Sequence, residues 1–167
     1  MKVAKQYRVA WIACLLASSL NIGDAGIPRR TTVAVIVNKA NPVSNLEITE
    51  LRRLMLGEIH YWSNQRRVTL VHRDPSSAAY QTSLDLVIHM TAPEYRRFLL
   101  NQEFRGEEAV TSKTLRSPDG ACEFVFNVPG AIAVVEAEPA LLPPCLAWVK
   151  VIPVNNKLPG EANYLLQ

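Results

Sequence analysis

The chain has 167 residues, of which 49% are hydrophobic and 20% charged, a composition that fits one compact domain and excludes an intrinsically disordered chain. Eighteen basic and fifteen acidic residues give a formal net charge of +3, which is too small to predict a general nucleic-acid-binding face. We therefore expect no nucleic-acid partner.

The first 25 residues have the pattern of a secretory signal peptide. Basic residues precede an apolar run from Val9 to Leu20, and small residues up to Ala25 offer a cleavage site. Cleavage there would leave 18 − 3 = 15 basic and 15 − 1 = 14 acidic residues, a net charge of +1. The segment predicts a periplasmic or secreted protein, and an uncleaved N-terminal anchor is the alternative.

Residues 30–156 alternate between strand and helix patterns, which predicts an α/β domain with a mainly parallel or mixed sheet flanked by helices. The apolar run Thr31–Val37 is typical of a strand covered on both faces. A helix beginning near Thr49 follows, and Gly57 supplies its left-handed stop.

A second buried strand, Val68–Val71, leads into the start of another helix. Asp74 suits the N-cap of this helix and Pro75 its first position, so we expect it to run from Asp74 to about Met90. The first turn would then point unpaired backbone N–H groups outward beside the hydroxyls of Ser76 and Ser77. An oxyanion could bind there, although an ordinary capped helix is the alternative interpretation.

The remaining elements have local start and stop signals. Thr91–Glu94 is a capping box that opens a helix to Phe104, and Ser117 begins another helix that ends near Val128. Ala131–Val135 and Ala147–Pro153 are predicted strands. Residues 157–167 show no strong pattern, so we expect a tail outside the domain.

Two cysteines, Cys122 and Cys145, remain after the leader. In an exported protein an even pair of cysteines favours a disulfide bond. Two buried free thiols are the alternative.

Three segments give the chain a resemblance to the phosphate-type family of periplasmic substrate-binding proteins. They are Leu51–Trp62, Arg73–Ser77, and the stretch from Ser117–Gly120 to Val128–Ile132. Their order extends the likeness over roughly residues 31–154. The resemblance implies one lobe of a two-lobed receptor fold, because residues 30–156 are too few for both lobes.

The resemblance also implies a ligand and the residues that bind it. The ligand would be phosphate or a related oxyanion, held without any cofactor. Arg73 would be its cation, Asp74 would accept a proton from it, and Ser76 and Ser77 would donate hydrogen bonds. Asn41 and Ser44, from the first loop, are weaker candidates.

The sequence thus favours a secreted oxyanion-binding module that performs no chemistry. A non-catalytic interaction protein that kept the fold and lost the ligand is the alternative. A membrane transporter, or a second chain that completes the cleft, is the expected macromolecular partner. No nucleophile elbow and no metal-ligand spacing is present, so we predict neither an enzyme nor a metal site.

Overall fold

The computed structural model describes residues 31–104, 110–137 and 147–167. These residues form five strands and four helices, with a π-helical turn between the second and third helices. In chain order the elements are β1 (Val33–Val37), α1 (Ile48–Met55), β2 (Thr69–Arg73), α2 (Ala78–Ser83), the π turn (Leu84–Ile88), α3 (Ala92–Phe104), β3 (Thr111–Leu115), α4 (Pro118–Asn127), β4 (Ala131–Glu136) and β5 (Lys150–Ile152).

The strands form one mixed sheet in the order β3-β2-β4-β1-β5. β2 runs parallel to both β3 and β4, so the carboxyl ends of these three strands meet at one edge of the sheet. β1 runs antiparallel to β4 and to β5. The predicted α/β class and the mixed sheet flanked by helices are therefore confirmed.

Two apolar layers cover the sheet. Alternating side chains of β1 supply both, because Val33, Val35 and Val37 point to one face and Ala34 and Ile36 to the other. The larger layer lies under α1, α2, the π turn and α3, and the smaller one lies under α4. This burial on both faces explains the continuous apolar sequence of β1.

Local helix signals appear where the sequence predicts them. The Glu94 side chain accepts hydrogen bonds from the backbone N–H and the hydroxyl of Thr91, which completes the capping box. Ser117 accepts from the Gly120 N–H at the start of α4. Gly57 has φ +74°, the left-handed conformation expected after α1.

The C-terminal segment differs from the expected tail. Tyr164 and Leu166 are buried in the core, the Tyr164 hydroxyl donates to the Val33 carbonyl, and the Val33 N–H donates to the Leu166 carbonyl. Tyr164 and Leu166 are the two apolar side chains that anchor this segment. Two residues are too few to give a periodic sequence pattern. Trp148, two residues before β5, is 56% exposed.

Among the helices of the described residues, none is both long and apolar enough to cross a membrane.

Candidate functional site

The loop between β2 and α2 is the predicted oxyanion site, and its helix begins later than the sequence suggests. The N-cap is Ser77, whose hydroxyl oxygen accepts from the Tyr80 N–H at 3.2 Å. The prediction that Asp74 is the N-cap is therefore wrong. Asp74 instead closes a turn, because its carboxylate accepts from the Ser76 N–H at 3.0 Å and its carbonyl accepts from the Ser77 N–H at 2.8 Å. Such local bonds compete with the helix for the same backbone groups.

Asp74 is a charged group on the outer side of this loop. The Ser76 hydroxyl donates a second hydrogen bond to its carboxylate at 2.6 Å. The side-chain and backbone bonds from Ser76, with smaller contributions from Arg116 and Arg73, lower the pKa of Asp74. Its carboxylate is thus ionised at neutral pH, and a protonated ligand would meet an acceptor there.

Arg73 is not positioned as an exposed cation. Its side chain is only 5% exposed, and its Nε lies 3.2 Å from Oε2 of Glu136. A terminal guanidinium nitrogen donates to the Leu115 carbonyl at 2.9 Å. The predicted main cation for a ligand is therefore engaged inside the protein.

Glu136 places a carboxylate at the beginning of α2. Its Oε1 accepts from the Ala79 N–H at 3.3 Å, while Oε2 pairs with Arg73. An internal anion therefore stands at the positive end of the helix dipole, where an external anion was expected. Glu136 is not among the residues that the sequence motifs predict for the site. The available signal was an acidic residue directly after the apolar run Ala131–Val135.

Arg116 is an exposed cation at the same end of the sheet. It directly follows β3, beside Leu115, whose carbonyl accepts from the Asp74 N–H at 3.1 Å. Its charge contributes to the lowered pKa of Asp74. No sequence motif pointed to Arg116, because it lies in a polar segment between two predicted elements.

The structure does not bring Asn41 and Ser44 to this loop. Because β1 is antiparallel to β4, Val33 pairs with Glu136 and Val37 pairs with Ile132. The loop after Val37 therefore begins about 13 Å along the strand direction from Glu136, at the opposite end of the strands.

Asn41 makes its hydrogen bonds at that opposite end of the strands. Its side-chain oxygen accepts from the Val43 N–H, and its carbonyl accepts from the Lys150 ammonium group. Ser44 lies exposed in the same loop. The prediction that these two residues share a site with Arg73 is wrong.

The cysteine prediction remains open. Cys122 is buried on α4, whereas Cys145 lies outside the described residues. Within the described ranges, no three His, Cys, Asp or Glu side chains come together as a metal site.

No family model matches the sequence, and no curated protein matches it. Among solved structures, an ABC-type phosphate transport receptor from Vibrio cholerae is 20% identical with a TM-score of 0.61, over 81% of this chain and 53% of that one.

Two further structures agree with the first. PstS from Borrelia burgdorferi is 18% identical with a TM-score of 0.58, over 77% of this chain and 49% of that one. A phosphate-binding protein from Stenotrophomonas maltophilia is 19% identical with a TM-score of 0.53, over 80% and 41%. The chain thus spans about half the length of these proteins. Its domain has the fold of the phosphate-type substrate-binding proteins, as its sequence motifs predict.

Proposed function

We propose that this chain is a solute-binding module of the phosphate-receptor type, which binds phosphate or a related oxyanion without catalysing a reaction. The observation that carries the proposal is the loop at residues 74–78, at the carboxyl edge of parallel strands. Ligands of open α/β sheets bind at this kind of edge. The shared fold with receptors and binding proteins for phosphate supports the same ligand class.

Each group of the loop has a role in this proposal. Ala78 is exposed and offers a backbone N–H, while the exposed Ser76 hydroxyl donates to the Asp74 carboxylate and orients it toward a ligand. Arg116 supplies the positive charge that the buried Arg73 cannot offer. Asp74 accepts the proton of hydrogen phosphate, so the site prefers it to sulfate. Binding is weak, because exposed charges in water attract each other little.

Calorimetric titration with phosphate and with sulfate at matched ionic strength tests the proposal. We expect phosphate to bind, and Arg116→Gln to weaken binding about tenfold, which corresponds to about 1.4 kcal/mol. The matched control is Arg66→Gln, which removes the same charge from an exposed site beyond the opposite edge. Equal losses in both variants, or no binding by the unmodified chain, would contradict the proposal.

Asp74→Asn tests the preference for a protonated ligand. The asparagine oxygen still accepts from Ser76, but the side chain no longer takes up a proton. We expect the affinity for phosphate to fall and the affinity for sulfate to hold or rise. A parallel rise for both anions would mean that Asp74 only repels them.

Glu136 favours a second candidate function, an interaction module that kept the fold and lost the ligand. Its carboxylate neutralises Arg73 and engages the start of α2, so a second anion would be repelled. In this case the unmodified chain should show no thermal stabilisation by millimolar phosphate. A ligand at 100 times its dissociation constant would instead add about 2.7 kcal/mol.

We also propose that the chain is exported and acts together with a partner protein. The leader-like residues 1–25 support export to the periplasm or the cell exterior. A membrane transporter, or a second chain that closes the half-cleft, would then complete the function in phosphate uptake. Cleavage near Ala25 is checked by the intact mass of exported protein, and a full-length mass would contradict it.

A further inference from the structure

A cavity of about 70 Å³ lies on the opposite side of β2 from Arg73, beside the edge strand β3. Leu70, Leu99 and Val110 supply its apolar walls, and Gly57 adds backbone without a side chain. The cavity is several times larger than the space of roughly 10–15 Å³ that one water needs. It therefore has room for a small molecule.

His72 lines this cavity and carries an unsatisfied polar atom. Its Nε2 is shut off from solvent and has no hydrogen-bond partner among the described residues. The ring meets Tyr95 edge-on, with centroids 5.9 Å apart, and this contact does not pair the nitrogen. Buried polar atoms are nearly always paired in folded proteins, so an occupant that pairs with Nε2 is favoured.

Two further polar side chains line the same space. Gln102 donates its amide N–H to the Leu56 carbonyl at 2.9 Å, which leaves its oxygen as an acceptor near Gly57. Ser112 is exposed on β3, at the solvent side of the cavity. A small-molecule site typically has mostly apolar walls and a small number of polar groups that converge on the ligand.

The lining residues that the structure describes carry no charged group at neutral pH. Burial lowers the pKa of His72 to about 4, so its imidazole is neutral. The other lining side chains do not ionise. A charged ligand would lose its hydration here without gaining a counter-charge, which excludes an ion as occupant.

We propose that this cavity binds a small uncharged hydroxyl compound of about four non-hydrogen atoms. Its hydroxyl group bonds to His72 Nε2, and its carbon atoms contact Leu70 and Leu99. A hydroxyl both donates and accepts, so it suits either tautomer of the imidazole. The site is independent of the oxyanion loop.

NMR titration of the whole chain with 2-propanol tests this proposal, with the ¹⁵N shift of His72 Nε2 as the signal. We expect a saturable shift with a dissociation constant in the millimolar range, since so small a ligand has a low affinity ceiling. Acetate is the matched probe, because it also has four non-hydrogen atoms but carries a charge. It should leave the signal unchanged.

Ser112→Leu should fill the mouth of the cavity and weaken 2-propanol binding at least tenfold. The matched control is Lys113→Leu, at the next exposed position of β3, whose side chain points to the other face of the sheet. It should leave binding unchanged. A shift that rises linearly without saturation would mean that only water occupies the cavity, and it would overturn the proposal. An equal response to acetate, or equal binding by Ser112→Leu, would do the same.

Discussion

Arg73 Nε and Glu136 Oε2 lie 3.2 Å apart, and the two side chains are only 5% and 9% exposed. This ion pair joins the ends of β2 and β4. Glu136 also holds the first turn of α2 through the Ala79 N–H, and Arg73 holds β3 through the Leu115 carbonyl. The pair thus links four elements at the edge where the candidate site lies.

Replacement of Arg73 should therefore damage the fold. We expect Arg73→Met to lower the free energy of unfolding by about 3–5 kcal/mol, because it leaves the Glu136 carboxylate buried without a counter-charge. Urea denaturation measures the loss. The control Arg116→Met removes an exposed arginine directly after β3 and should change stability by less than about 0.5 kcal/mol. A small loss for Arg73→Met would instead fit the sequence-based role as a ligand cation.

The double variant Arg73→Met/Glu136→Gln should be more stable than the sum of the two single changes predicts. Removal of both charges leaves no unpaired ion, while glutamine can still accept from the Ala79 N–H. We expect a coupling free energy of about 1–3 kcal/mol in a double-mutant cycle from urea denaturation. Additive losses would show that the two charges stabilise the fold separately.

Leu166→Ala should lower the free energy of unfolding by about 2–5 kcal/mol, because this side chain is fully buried near the end of the chain. Leu165→Ala is the matched control, since Leu165 is 46% exposed and should matter little. Thermal or urea denaturation compares the two variants. Equal and small losses of stability in both variants would show that residues 157–167 form a tail outside the domain.

Gly130→Ala should destabilise the domain by about 3 kcal/mol. A Cβ at this position would overlap the backbone oxygen of Arg67, and Gly130 itself accepts hydrogen bonds from the Trp62 indole and the Thr69 N–H. At Gly160 the added carbon would have open space, and only its φ of +89° disfavours alanine. Gly160→Ala should therefore cost only about 1 kcal/mol. Unfolding midpoints for both variants test the difference.

His72 should make the stability depend on pH between about 6.5 and 4. Burial lowers its pKa to about 4 in the folded chain, so the unfolded chain binds the proton first as the pH falls. Through this window His72 lowers the free energy of unfolding by up to about 3 kcal/mol, and its contribution stays constant below the window. The pKa values of Asp74 and Glu94 are also lowered, but these carboxylates lose their contributions at lower pH.

Urea denaturation from pH 7 to pH 4 measures this dependence. His72→Gln should flatten the curve, because glutamine does not titrate. A constant stability of the unmodified chain across the window would contradict the burial of Nε2.

Local signals made much of the fold predictable. The capping box at Thr91, the N-cap at Ser117 and the stop at Gly57 each depend on residues within one turn, and all three are present. The continuous apolar sequence of β1 also indicated its burial on both faces.

The candidate site was less predictable, because its geometry depends on strand direction. Asn41 lies in the loop after β1, and Arg73 is the last residue of β2. The two strands run in opposite directions, so these residues lie at opposite ends of the sheet. No local sequence pattern encodes the direction of a strand. Glu136 is 63 residues from Arg73 in the chain, so their pairing also had no local signal. Asp74 fits two local motifs, a helix N-cap and a turn, which compete for the same backbone groups. In the structure Asp74 forms the turn.

The hydrogen bond between Val33 and Leu166 brings the first strand and the last residues of the described chain side by side. A short flexible linker could therefore join residue 167 to residue 31 without crossing the domain. New ends could be opened in the exposed turn at residues 63–66, which precedes β2 and so lies at the opposite end of this strand from the loop at residues 74–78. Such a circular permutant should keep both candidate sites, which makes the domain suitable for insertion into a reporter protein.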